Sequence, residues 1–246
     1  MRLPVGFILA MTFLTRLPMP KVLNFQPSDM AKAVVWFPLA GVMVGGLVAG
    51  FWWLGNLVHP LVAGLLGLLV WVWVTGALHL DGLSDLTDAL GAAHANEERF
   101  HKVLSDPHVG SFGVVALVLQ LLAKFALLTW LAYAEMPAWW LVLIAAWARF
   151  GAAWWSLSLP SIKPGLGETF AWQGKVTQLG WGFGLLIVAT LLLAPPLLLV
   201  FIPMLLWHAW LRWRLAGQTG DALGAGIELN ESMSLLLCVL FLHGLN

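Results

Sequence analysis

Three short stretches of this 246-residue chain hold most of its side chains capable of chemistry. The first is His79-Leu80-Asp81-Gly82-Leu83-Ser84-Asp85-Leu86-Thr87-Asp88. At about 100° per residue, a helix gathers Asp81, Asp85 and Asp88 into an arc of about 60°. Carboxylates stacked in this way repel one another. A merely solvated face would ordinarily mix in Lys or Arg, so this one calls for a cation. Oxygen ligands without soft donors suit a hard ion, Mg²⁺ or Mn²⁺, which commonly combines a few carboxylates with substrate phosphates.

The second stretch, 217–228, sets Asp221 and Glu228 seven residues apart on one helical face, with Gln218 just before them. Gly220, Gly224 and Ala225 are small enough for close helix contact. Alone, the stretch reads equally well as a packing helix with a cap; beside the first it reads as the opposite wall of one site. The third, Asp106-Pro107-His108-Val109-Gly110, is a polar turn entering an apolar run. It predicts a helix N-terminus, whose free amides can also meet a phosphate. Lys124 and Arg149 interrupt two further apolar runs. An ionisable group at such a position is costly and is a functional candidate by default. Arg149 is expected to face a polar cavity on the side of the acidic clusters. His59, His94, His101, His208 and His243 lack ligand spacing and read as structural. Acids, a divalent metal and buried cations together point to phosphate chemistry, in which metal positions the phosphate oxygens and a base serves the nucleophile. A divalent-cation or organic-anion transporter, its Asp clusters forming a gate, is the alternative of another class.

The elements that must position these residues are membrane helices. Apolar residues make up 61% of the chain and charged ones 10%, against roughly 45–50% and about 25% in soluble domains. Twelve basic and twelve acidic side chains cancel, so no net field draws in nucleic acid. The single Cys238 excludes a disulfide framework and a Cys-based zinc site. Runs 33–55, 61–78, 110–132, 138–159 and 232–245 are apolar enough to cross or nearly cross about 30 Å of hydrocarbon. Run 179–211 would make one helix of about 50 Å, too long for a single crossing. Pro195-Pro196 divides it into 179–194 and 197–211. Residues 4–13 are too few to span and predict an interfacial or re-entrant segment rather than a cleaved signal peptide. The expected fold is all-α: one membrane-embedded domain, 1–246, with about seven transmembrane helices.

Seven crossings put segments 16–32, 79–109, 160–178 and 212–231 on one side. These hold Arg16, Lys21, Lys32, Arg99, Lys102, Lys163, Lys175, Arg212 and Arg214, whereas the loops opposite hold no Lys or Arg. The positive-inside rule makes the basic side cytoplasmic. Every acidic residue except Glu135 falls there too.

At the clusters the chain resembles the cobalamin synthase family, the adenosylcobinamide-GDP ribazoletransferases of bacteria and archaea. The resemblance rests on Phe13-Leu14-Thr15-Arg16-Leu17-Pro18, His79-Leu80-Asp81-Gly82-Leu83 with Asp85 and Asp88, Asp106 with Val109-Gly110, and Gly217-Gln218-Thr219-Gly220-Asp221 with Gly224-Ala225 and Glu228. Lys124 and Arg149 have counterparts as well. The family often has an Arg where this chain has Pro107-His108. The resemblance implies a Mg²⁺-dependent enzyme of the bacterial cytoplasmic membrane. Its substrates would be adenosylcobinamide-GDP and α-ribazole or its 5′-phosphate, with GMP released. On this reading Asp81, Asp85, Asp88 and Asp221 hold Mg²⁺, and Asp88 or Asp221 takes the nucleophile's proton. Lys124 and Arg149 offset diphosphate charge, Gln218 or Glu228 orients substrate, and His79, Asp106 and His108 line the substrate site. The acidic pattern is also loosely similar to that of CDP-alcohol phosphotransferases, which act on lipids. A homo-oligomer is left open.

Overall fold

The computed structural model describes residues 3–92, 97–163, 168–169 and 174–244. His94, the ends of run 232–245 and of the chain, and parts of segments 79–109 and 160–178 therefore lie outside the described residues. Within them the protein is helical, with one isolated parallel bridge between Ser161 and Gln218.

The short opening helix α1, Val5–Leu14, buries Ala10, Met11 and Leu14. Two 3₁₀ turns lead into α2, Phe37–Asn56. Then come α3, Pro60–Thr75; α4, Leu78–Ala92; the short α5, Glu97–Val103; α6, Ser111–Tyr133; and α7, Trp139–Ser158. Next are α8, Gly180–Leu193, and α9, Phe201–Trp210, joined by a 3₁₀ turn that begins at Pro195 where the proline pair denies the helix its hydrogen bonds. The last helix is α10, Gly220–His243. Among the described residues six helical segments are long and apolar enough to cross a membrane, and the pair α3–α4 makes a seventh crossing if taken together. The protein is thus a polytopic membrane protein of the expected all-α class.

Two boundaries differ from the expected ones, and both shape the site. Run 61–78 does not stay straight. Gly76 adopts a left-handed φ of 62°, closing α3 with its amide on Trp73 O, and Ala77 follows at φ 61°. This left-handed ending stops a helix, and α4 leaves the α3 axis at 84°. The acidic residues of α4 therefore lie across the end of that crossing rather than along it. The second difference is larger. Segment 212–231 is not a loop: Thr219 caps α10, its Oγ1 accepting from Ala222 N at 3.1 Å, and one helix runs to His243. Glu228 and Glu231 are thereby carried into the bundle. Burying them is tolerable only because cations on neighbouring helices meet them there.

In the bundle α2 packs against α3 and α7, α3 against α6, and α10 against α4, α6 and α7. Association inside a bilayer depends on packing and polar ties rather than on water exclusion, and buried indoles supply several of these ties. Trp52 Nε1 donates to Leu128 O at 3.0 Å, Trp147 to Thr190 Oγ1 at 2.8 Å and Trp155 to Met204 O at 3.1 Å. The outward faces of α6 (Val115, Leu119, Leu122) and α8 (Leu185, Leu192) are apolar and exposed, as a lipid-facing surface requires.

Candidate active site

The site is built where α4 crosses the start of α10. A Cβ on Gly82 would lie 2.7 Å from Asp221 O, so only glycine permits this crossing. The close approach brings Asp221 next to Asp81 and Asp85. Asp81 is exposed and Asp85 half-buried, and both lie on the open end of the bundle. Burial first, then the neighbouring carboxylates of Asp81 and Asp221, push Asp85 up to about 6. Lys163 answers part of this negative charge: its Nζ lies 3.3 Å from Asp221 Oδ2 and donates to Leu104 O at 2.7 Å. Lys163 is held there by the bridge of 161–162 with Gln218, in which Gln218 N donates to Pro160 O at 2.8 Å and Ile162 N to Gln218 O at 3.0 Å. Gln218 itself is fully buried and serves this junction.

Asp88, on the same helix, is 8% exposed and is occupied differently. Its Oδ2 accepts from Gly110 N at 2.7 Å and its Oδ1 from Gly113 N at 2.9 Å. It satisfies the amides that begin α6 and ties that helix to α4.

The donor set at the crossing is all oxygen and suits a hard cation. Among the described residues no three His, Cys, Asp or Glu side chains converge tightly enough to cage one. Such an ion would take one or two of these carboxylates and fill its shell with phosphate oxygens and water, which is the usual habit of Mg²⁺.

The other expected site residues divide into two groups. Asp106 and His108 stay on the exposed turn before α6, where Asp106 Oδ1 accepts from His108 N at 3.0 Å and meets His108 Nδ1 at 2.6 Å. The His108 side chain, followed by its backbone amide, holds the Asp106 carboxyl below the usual carboxylate range.

Lys124, Arg149, Glu228 and His79 form a separate, buried network with a partner the residue spacing did not show, Glu231. Lys124 Nζ lies 2.6 Å from Glu228 Oε2 and 2.5 Å from Glu231 Oε2. Arg149, fully buried, pairs with Glu231 Oε1, which also accepts from Trp71 Nε1 at 3.1 Å. Gln120 Nε2 donates to Glu228 Oε2 at 2.9 Å and Ser232 Oγ at 2.8 Å. Lys124 Nζ also lies 4.7 Å from the centre of the Trp71 ring. His79 Nδ1 is 3.5 Å from Arg149 Nη2.

Two cations thus face two carboxylates. Glu231 is ten residues beyond Asp221 on α10, about 15 Å along the helix. The expectation that Arg149 faces a cavity is corrected here: it is packed inside, neutralised by Glu231. Glu231 was legible in principle, since it stands three residues after Glu228 on the same helical face. Lys163 had no local signal, because a chain crossing sets its place.

A model of the family described as cobalamin-5-phosphate synthase matches residues 6–239. The chain belongs to that family. Curated relatives in the same family extend over almost the full length. The adenosylcobinamide-GDP ribazoletransferase of Thiobacillus denitrificans is 54% identical over 233 residues, covering 94% of each chain. That of Laribacter hongkongensis is 51% identical over 238 residues, 95% of this chain and 96% of the relative. That of Novosphingobium aromaticivorans is 46% identical over 246 residues, 97% and 98% respectively. No solved structure matches the chain.

Proposed function

We propose that this protein is an adenosylcobinamide-GDP ribazoletransferase of the bacterial cytoplasmic membrane, working at its cytoplasmic face. A hydroxyl of α-ribazole, or of its 5′-phosphate, attacks the cobinamide-linked phosphorus of adenosylcobinamide-GDP. The new P–O bond replaces the bond to the GMP oxygen, GMP departs, and the hydroxyl proton passes to a carboxylate. The observation that carries this reading is full-length identity of up to 54% with relatives of that name. The α4–α10 crossing supports it with acids of the type such chemistry uses.

One or two of Asp81, Asp85 and Asp221 would hold Mg²⁺, which when bound would neutralise and orient phosphate oxygens. Asp221 is the better candidate base, because Lys163 at 3.3 Å orients its carboxylate at the crossing. Lys163 also offers a cation to the phosphates without a second ion. Asp88 serves as the anchor of α6, so the wall of the site keeps its shape. Lys124, Arg149, Glu228 and Glu231 fix α10 against α6 and α7 and thereby set where Asp221 stands.

Incubation of purified protein with adenosylcobinamide-GDP, α-ribazole and Mg²⁺ tests the reading. The expected result is GMP and a cobalamin product in equal amounts. No GMP release, with turnover of a CDP-alcohol donor or metal-driven flux into liposomes instead, would overturn it.

A further inference from the structure

One cavity lies beside the acidic crossing without belonging to it. It has a volume of about 420 Å³ and lies between α5, the 160–162 segment and the turn that follows α9, with Phe100, His101, Ile162, Trp213, Arg214 and Ala216 on its walls. This volume falls in the range of small-molecule sites. The lining is aromatic and cationic, and no acid contributes to it. Trp213 leaves 82% of its surface exposed at the cavity. Phe100 and His101 meet edge to face at 5.4 Å on the opposite wall. Among the described residues, Arg214 has neither a salt bridge nor a hydrogen-bond partner.

The backbone that presents Trp213 and Arg214 is irregular. Leu211–Leu215 is a π-helical turn, and Ala216 ends it at a left-handed φ of 55°. π turns and non-glycine residues in that region collect at ligand sites, where binding compensates for their strain.

The cavity shares a wall with the acidic site. Ile162 lines it, and the next residue, Lys163, reaches Asp221. A molecule whose phosphates lie at Lys163 would carry its next group into this cavity. We propose that the cavity binds the nucleotide half of the donor, stacking a purine on Trp213 and placing a phosphate oxygen on Arg214. The inference rests on the transferase reading above, because only a nucleotide-activated donor gives the cavity this occupant.

Two measurements on the full-length protein in detergent keep the two ideas apart. In equilibrium dialysis with GMP alone, Trp213→Ala and Arg214→Gln should each weaken binding about 10-fold, the usual scale of a lost base stack or charged phosphate contact. In the transferase assay the same variants should raise KM for the donor about 10-fold and leave KM for α-ribazole unchanged. Both side chains are exposed, and a melting curve checks that each variant is folded; Trp213→Phe and Arg214→Lys should recover part of the binding. An active enzyme whose variants keep wild-type GMP affinity and donor KM would overturn the inference and leave the transferase reading standing. GMP binding that needs both residues, in a protein that releases no GMP from the donor, would support the site while the transferase reading fails. Unchanged GMP affinity with weaker binding of the variants to phosphatidylglycerol vesicles would assign these residues to the membrane surface and overturn it.

Discussion

A carboxylate that accepts two backbone amides is held differently from one that faces other carboxylates, and α4 carries both kinds. Asp88 belongs to the first, bonded to Gly110 and Gly113. Asp81 and Asp85 belong to the second, with Asp221 across the crossing. Substitution should separate them. Asp81→Asn, Asp85→Asn and Asp221→Asn keep volume but remove charge. Each should lower GMP release by about 100-fold or more while the protein stays folded, the scale on which removing a positioned acid–base or charge-stabilising group is felt. In EDTA, Asp85→Asn should melt at or above the wild-type temperature, because it relieves repulsion that only a cation or a proton otherwise relieves. Asp88→Ala should instead lose stability by about 2–3 kcal/mol, since two amides at the start of α6 lose a charged acceptor. Melting curves with EDTA beside GMP release against Mg²⁺ decide both. Full activity in all three Asn variants would remove the crossing from the chemistry, and an Asp88→Ala protein as stable as wild type would remove the anchor.

At the scale of elements, what hydrocarbon demands is legible in sequence and what neighbours allow is not. Apolar runs announce the crossings because length and composition are imposed from outside, and the proline pair marks where 179–211 must break. The bend at Gly76 was hidden, since glycine inside an apolar run reads equally as packing. The continuation of α10 was hidden for a deeper reason. Glu228 and Glu231 look like residues of a helix outside the membrane until Lys124 and Arg149 are known to lie against them, and those cations stand on α6 and α7, distant in the chain. The acidic clusters stood out in the sequence because no base was interleaved to explain them. The buried network makes its own prediction. Arg149→Met leaves two carboxylates against one cation, and the excess buried charge should cost about 3–5 kcal/mol. Glu231→Gln should cost a similar amount from the opposite sign. The double variant restores neutrality and should lose clearly less than the sum, a coupling readable from the four melting or denaturant curves of a double-mutant cycle. Additive losses would show that the pair does not act as a unit.

For the molecule as a whole, the two ends of the bundle differ in chemistry, and the difference fixes how it should sit in the membrane. One end gathers Asp81, Asp85, Asp221 and Lys163 together with the exposed Arg16, Lys102, Arg212 and Arg214. α10 starts there and, at 24 residues, rises about 36 Å to the other end. That second end carries Glu135 but no Lys or Arg among the described residues, and it is aromatic: His59 meets Tyr133 at 5.9 Å, Trp130 meets His243 at 6.4 Å, and Trp139 and Trp140 both donate to Leu193 O. Lys and Arg are retained on the cytoplasmic side during insertion, while aromatic rings suit either interface. The acidic crossing should therefore open to the cytoplasm. Cys238 is fully buried in α10, so a Cys238→Ala background leaves no competing thiol. In that background Val58→Cys should react with a membrane-impermeant maleimide in intact cells, and Lys102→Cys only after permeabilisation. Labelling of position 102 from outside would invert the molecule and cut the site off from cytoplasmic substrate.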